Sequence, residues 1–286
     1  NLNSGTVENY NFLGIVYLKQ NRIKEAINQF KKAVNTDNSF IEAQYNLANA
    51  FVLDNKYDFA IDQLEKSINY SSDHPEIFYL LGKIYSKEKK YEKAVDCFIE
   101  MFKISNKPTE DIILNTISEL NKIIEHFNKP NTYHTLAIAY SSLEHADKAI
   151  EIYNKAIKNG IKDSVIFNNL ASFYISQKDF NKAIDCYKKA IKLRPKESVY
   201  YYGLGNCYKS LNKFEDAAKN YELSIKLNKN VNISRIALGD LYKEKGKHKE
   251  AQTYYMDAIK LNPEELYAYK RSEERRVGKE CMPVCR

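Results

Sequence analysis

Apolar residues recur along the chain at intervals of three and four, which is the spacing that gives a helix one apolar face. The segments with this spacing are about 13 residues long, too short to be stable alone in water, so we expect them to be held by packing against one another. Glycine occurs only 9 times and proline 6 times. An all-β chain needs many more turn residues, so pattern and composition together predict an all-α protein.

The helical pattern repeats every 34 residues. Each repeat carries a Leu followed by Gly or Ala. An Ala comes 13 residues after that Leu, which is 12 residues after the Gly or Ala. The Leu-small pairs begin at Leu13, Leu47, Leu81, Leu136, Leu170, Leu204 and Leu238. The later alanines are Ala26, Ala60, Ala94, Ala149, Ala183, Ala217 and Ala251. Seven units follow, at 7–40, 41–74, 75–108, 130–163, 164–197, 198–231 and 232–265.

This pattern resembles the tetratricopeptide repeat (TPR) family, whose signature is an aromatic, then Leu-Gly, then Tyr, then Ala, Phe, Ala and Pro. The unit 164–197 matches this signature at Phe167, Leu170, Ala171, Tyr174, Ala183, Tyr187, Ala190 and Pro195. At the aromatic position of the signature, where the family has Trp, five units of this chain have Tyr or Phe, the second has Gln44 and the last has Arg235. The resemblance implies an alpha-alpha superhelix, a TPR solenoid of seven helix-turn-helix repeats with a concave face lined mainly by the first helix of each repeat.

The repeat register breaks once, at 109–129, where an amphipathic segment lies between Pro108 and Pro130. We expect one extra helix of roughly 17 residues there. The chain then divides into a truncated N-terminal flank (1–6), repeats 1–3 (7–108), the interrupting helix (109–129), repeats 4–7 (130–265) and the start of an eighth repeat (266–270). The interrupting helix is either a joint between two sub-arrays or a decayed repeat that leaves the path of the array unchanged.

Helical periodicity stops at Arg271, and 271–286 matches the translation of a common sequencing adapter. We therefore expect 271–286 to be an artefact of sequence assembly, the alternative being a genuine basic tail.

Charge and reactive residues point away from several functions. The net charge is +7, with both signs interspersed, so we expect no nucleic-acid partner. No stretch approaches the roughly 18 apolar residues of a membrane span. The five cysteines include no CxxC pair, and the five histidines form no HExxH motif, so we expect no metal, no cofactor and no catalytic activity. This cysteine usage favours a reducing compartment, which predicts a cytoplasmic protein.

The family resemblance also implies where partners bind, at fixed concave positions of the first helices. In repeats 1–3 these positions hold Asn11, Tyr45, Asn46, Asn49, Tyr79, Lys83 and Lys87. In repeats 4–7 they hold His134, Asn168, Asn169, Tyr202, Asn206 and Asp240. Asn amides can both donate to and accept from a peptide backbone, and Tyr gives rigid contact area at low entropic cost.

The predicted function is that of a non-enzymatic adaptor or scaffold, which binds peptide or protein partners on the concave face. Repeats of this family that grip the C-terminal tails of heat-shock chaperones use a clamp of Lys, Asn and Arg. Only Asn46 fits that clamp here, because Glu76 and Leu80 stand where Lys and Arg are required. We therefore expect no binding of chaperone tails.

Two other interpretations stay open at this point. Asn46-Leu47-Ala48 and Asn169-Leu170-Ala171 resemble the Asn-bearing repeats of O-linked N-acetylglucosamine transferases. In that case the chain would be the substrate-recognition segment of a larger enzyme, with the catalytic domain missing. The third interpretation is a structural subunit of a large assembly, which would use its convex face and its ends.

Overall fold

A computed structural model describes residues 4–104 and 108–262, and every regular element in these residues is an α-helix. The helices are α1 (Ser4–Lys19), α2 (Ile23–Thr36), α3 (Ile41–Leu53), α4 (Tyr57–Tyr70), α5 (Pro75–Lys87), α6 (Tyr91–Ile104), α7 (Glu110–His126), α8 (Pro130–Ser142), α9 (Ala146–Lys158), α10 (Ser164–Ser176), α11 (Phe180–Leu193), α12 (Ser198–Ser210), α13 (Phe214–Leu227), α14 (Asn232–Glu244) and α15 (His248–Leu261). The all-α prediction is confirmed. The expected start of an eighth repeat and the expected artefact both lie outside the described residues.

Fourteen of these helices form the seven predicted repeats, and α7 is the extra helix. The first and second helices of a repeat pack directly on each other. Within each compact unit, second helices also pack on the first helix of the following repeat, as α2 does on α3, α4 on α5, α11 on α12 and α13 on α14. Alanines of the second helices, such as Ala26, Ala60 and Ala94, are fully buried at these contacts. Small side chains at the crossing let the two helices approach closely, so the sequence repeat translates directly into repeated packing.

A ring on the second helix fills the space above the small residue of each Leu-Gly pair. Phe30 and Tyr221 are fully buried in this way. A Cβ added to Gly14 would lie 2.4 Å from Phe30 Cε1, and one added to Gly205 would lie 2.6 Å from Tyr221 Cε1. Because neighbouring atoms do not approach so closely, a larger residue at either glycine would force the two helices apart.

The turn inside each repeat has one residue in the left-handed region of backbone conformation, always at the same position. Its φ lies between 57° and 61° at Asn21, Asn55, Lys89, Glu144, Lys178 and Asn212, and is 72° at Gly246. In the repeat of α10 and α11, Lys178 N donates to Ile175 O at 2.9 Å, and Asp179 N donates to Tyr174 O at 2.8 Å. These two bonds are the Schellman pattern, which satisfies the last carbonyls of the first helix.

Helix α7 is 17 residues long and buries one face, as the sequence predicts. Ile113, Ile117, Leu120 and Ile124 lie on that face, and α7 packs against α5 and α8. Met101 of α6 is also fully buried, beside the hydroxyl of Thr116. Whether this helix acts as a joint in the array stays a prediction.

Two compact units divide the chain, the first ending at Ile161 and the second beginning at Lys162. The core of the second unit includes Tyr221, Leu238 and Leu241, which are buried against one another. In the first unit, Val7, Ala33 and Ala43 form a buried cluster that joins α1, α2 and α3. Each unit thus has apolar packing of its own.

Candidate partner-binding surface

All thirteen predicted partner-binding residues lie on first helices, from α1 to α14. We call these first-helix positions the first-helix face, taken separately in each of the two compact units. Asn11, Tyr45 and Tyr79 occupy equivalent positions of α1, α3 and α5 and are spaced 34 residues apart. The side chains differ, however, in what they already contact within the protein, and this separates the candidates into groups.

Asn11 belongs to a hydrogen-bonded chain that joins α1 to α3. It is only 2% exposed. Its Nδ2 donates to Glu42 Oε1 at 3.0 Å, and its Oδ1 accepts from Asn46 Nδ2 at 2.9 Å. Both ends of the Asn11 amide are therefore engaged, so this residue positions Asn46 and is poorly placed to touch a partner itself.

Tyr45 and Tyr79 are half-buried on α3 and α5. Burial raises the pKa of the Tyr45 hydroxyl, and the nearby Glu76 carboxylate raises it further. Burial likewise raises the pKa of Tyr79, with Glu119 and Tyr45 adding to the effect. Both hydroxyls therefore stay protonated at neutral pH and can donate a hydrogen bond.

Asn49, Lys83 and Lys87 complete the face in repeats 1–3. The Lys83 ammonium lies 6.0 Å from the centre of the Tyr79 ring, and that of Lys87 lies 5.6 Å from the Tyr57 ring. Both are cation–π distances, and the ammonium groups keep their charge available to a partner. Asn49 is half-buried and makes no hydrogen bond within the described part of the chain.

The predicted residues of the later repeats are engaged in a different way. Tyr153 OH lies 2.8 Å from His134 Nδ1, Tyr221 OH donates to Asn206 Oδ1 at 2.7 Å, and Tyr255 OH donates to Asp240 Oδ1. In each case a tyrosine of the second helix bonds to the first helix of its own repeat. His134, Asn206 and Asp240 therefore hold their repeats together.

The sequence carried a signal for these bonds. The second-helix position that holds Tyr153, Tyr187, Tyr221 and Tyr255 in repeats 4–7 holds Phe30, Leu64 and Phe98 in repeats 1–3. A buried tyrosine needs a partner for its hydroxyl, and a phenylalanine does not. The change from Phe or Leu to Tyr thus marks where a first-helix polar group is engaged internally.

Asn168, Asn169 and Tyr202 form the remaining part of the face. Asn168 Nδ2 donates to Asn169 Oδ1 at 3.1 Å, so the two neighbouring amides restrain each other. The ring of Tyr202 lies 6.0 Å from that of Tyr221, and its hydroxyl makes no hydrogen bond within the residues that the structure describes.

No group of three or more His, Cys, Asp or Glu side chains in residues 4–104 and 108–262 is arranged to hold a metal ion. Over the same residues, no helix is both long and apolar enough to cross a membrane.

Comparison with known families gives the chain its class. Residues 19–101 match the family described as "Anaphase-promoting complex, cyclosome, subunit 3". Residues 164–197 and 198–231 match one tetratricopeptide repeat family model, and residues 130–159 and 234–265 match another. Repeats 4–7 of this chain are thus tetratricopeptide repeats, a class of helical repeat that forms protein-interaction scaffolds.

Solved structures resemble this chain at low sequence identity. MamA 41-end from Desulfovibrio magneticus RS-1 is 16% identical, with a TM-score of 0.50 over 65% of this chain and 96% of that one. The APC/C hetero-tetramer Cut9-Hcn1 is 14% identical, with a TM-score of 0.45 over 85% of this chain and 45% of that one. No curated protein matches the sequence.

Proposed function

We propose that this protein is a non-enzymatic adaptor or scaffold, and that the first-helix face of repeats 1–3 binds an extended peptide segment of a protein partner. The observation that carries the proposal is Asn49, a half-buried amide with no hydrogen bond to the described chain, on the same helix as Asn46. An amide in that state offers both a donor and an acceptor to a peptide backbone.

The surroundings of Asn49 support the same function. Asn46 is held in place by Asn11, so little side-chain entropy is lost when it contacts a ligand. Tyr45 of the same helix and Tyr79 of α5 add rigid aromatic area and protonated hydroxyls. Lys83 and Lys87 add positive charge at the next helix, which favours a peptide that carries a carboxylate beyond its contact with the two amides.

The proposed partner is a protein segment other than a chaperone C-terminal tail. Glu76, whose carboxylate contacts His74 at 2.9 Å, stands where the chaperone clamp needs a cation, and it would repel an acidic tail. We also propose a cytoplasmic location, since Cys97, Cys186 and Cys207 are free thiols, as expected in a reducing compartment.

The test is a selection of peptides from a random display library on the full chain, followed by affinity measurements on variants. Asn49→Ala and Tyr79→Ala are each expected to weaken the selected peptides about tenfold, which corresponds to the loss of one good contact of ~1.4 kcal/mol. Asn28→Ala is the matched control, because Asn28 is an exposed amide on the second helix α2. Circular dichroism checks that each variant keeps its helices.

Two results would contradict the proposal. One is that the selected peptides bind Asn49→Ala and Tyr79→Ala as tightly as the parent chain. The other is low-micromolar binding of a peptide that ends in Glu-Glu-Val-Asp, which would reassign the surface to chaperone tails.

A further inference from the structure

Phe59 is an apolar side chain in an unusual place, on the outer side of the second helix α4. It is 61% exposed. The equivalent residue is charged in each of the other six repeats, as Glu25, Lys93, Lys148, Lys182, Asp216 and Glu250. This position carries a charge in every other copy of the repeat, so Phe59 departs from the repeat pattern by exposing a ring there.

Beside Phe59 lies a notch of about 220 Å³ between α2 and α4, with α3 below. Leu47 and Phe51 of α3 line its base, and both are almost fully buried. Val34 of α2 and Phe59 of α4 line its sides. The Phe51 and Phe59 rings are 5.6 Å apart, so the exposed ring extends the buried apolar surface outward to the rim.

The rim of the notch carries one cation without a counterion. The Lys31 ammonium lies 5.6 Å from the centre of the Phe51 ring, and Lys31 makes no ion pair with any residue that the structure describes. Asp62, also at the rim, is paired with Lys66 at 2.6 Å. The notch therefore offers an apolar base and a single cation whose charge has no counterion in the described chain.

We propose that this notch is a docking site for one large apolar side chain of a protein ligand, next to a carboxylate that pairs with Lys31. The volume suits one aliphatic or aromatic side chain, since a dry cavity of about 150 Å³ already holds a benzene ring. The Lys31 ammonium, which has no counterion in the described chain, favours a carboxylate on the ligand, so the expected ligand carries an apolar-acidic motif. The rim of this site is formed by the second helices α2 and α4, and none of the thirteen residues of the first-helix face lines it, so the two proposals can fail independently.

The test uses the same random peptide library on the full chain, and the affinity of each selected peptide is then measured on each variant. Phe59→Lys restores the charge found at this position in three other repeats, so it should fold normally. We expect it to weaken apolar-acidic peptides at least tenfold. Leu223→Lys is the matched control, because Leu223 is an exposed apolar residue on the second helix α13, and it should change nothing. Lys31→Glu should weaken binding of the same peptides. Peptides in which the acidic residue is replaced by lysine should bind the Lys31→Glu variant again.

Several outcomes would overturn the proposal. Peptides that bind Phe59→Lys as tightly as the parent chain would show that the notch is not the site. A selected set without acidic residues beside the apolar one would remove the role of Lys31. Sedimentation that finds a dimer for the parent chain and a monomer for Phe59→Lys would assign the notch to a second copy. If every selected peptide is lost on Asn49→Ala but kept on Phe59→Lys, the peptides bind the first-helix face alone and the proposal for the notch is wrong.

Discussion

Replacing Lys178 by glycine should stabilise the second unit of this protein. Lys178 holds a φ of 60° in the turn between α10 and α11, and its side chain is exposed. The turn needs that backbone conformation, because Lys178 N and Asp179 N both donate to carbonyls of α10. The Cβ of lysine is crowded there, whereas glycine adopts the same conformation without strain.

The magnitude follows from two opposing effects. The left-handed conformation costs an L-residue ~1–2 kcal/mol, which glycine would relieve. Glycine also gives the unfolded chain more freedom, which takes back ~0.4–1 kcal/mol. We therefore expect Lys178→Gly to raise the free energy of unfolding by ~0.5–1 kcal/mol. Gly246, in the same unit, allows the reverse experiment, since its φ is 72° and Gly246→Lys should destabilise by a similar amount.

The assay is urea unfolding of the full chain, followed by far-ultraviolet circular dichroism. The midpoint should rise for Lys178→Gly, fall for Gly246→Lys and return close to the parent value in the double variant, because the two turns are in separate repeats. If Lys178→Gly leaves the midpoint unchanged or lowers it while its native spectrum matches the parent, the strain argument for these turns is wrong.

Three further predictions concern the tyrosines and glycines of the repeats. Tyr221→Phe removes the hydrogen bond to Asn206 Oδ1 at 2.7 Å and should lower the free energy of unfolding by ~1 kcal/mol. Tyr202→Phe should be nearly neutral, because the Tyr202 hydroxyl makes no hydrogen bond in the described chain. Equal effects of the two substitutions would contradict this reasoning. Burial raises the pKa of Tyr187 to about 12, so its contribution to stability is complete below about pH 10 and is lost as the pH rises towards 12. Urea midpoints across this range test the sign, and a midpoint that increases with pH would refute it. Gly205→Ala places a Cβ against the buried Tyr221 ring and should destabilise by ~1–3 kcal/mol in thermal unfolding, so a neutral result would mean that the helices can separate without loss.

The fold could be predicted from the sequence because the same packing problem is solved seven times. One Leu-Gly pair, such as Leu204 and Gly205, is a weak signal, but its recurrence at a fixed interval indicates a stacked array. The division after Ile161 could not be predicted in this way. The repeats on both sides keep the 34-residue interval, so the pattern carries no mark of a boundary there.

The candidate surface could be predicted only as a set of positions. Register placed Asn11 and Asn206 on the first helices, but register does not say which atoms a side chain contacts. Asn11 is enclosed by Glu42 and Asn46 from the next repeat, and Asn206 is bonded by Tyr221. Such bonds depend on the distances between side chains of neighbouring helices, and the repeat register in the sequence does not give those distances.

The packing of each helix mainly on its neighbours in sequence has a consequence for synthesis on the ribosome. Among the described helices, the main contacts are between elements close in sequence, so the loops to be closed are short and folding should be fast. As the chain emerges, a repeat can pack on the one before it within its own unit, so that mainly the newest helix pair leaves an apolar face uncovered. An array of this kind can therefore fold progressively during translation, with little aggregation-prone surface exposed at any moment.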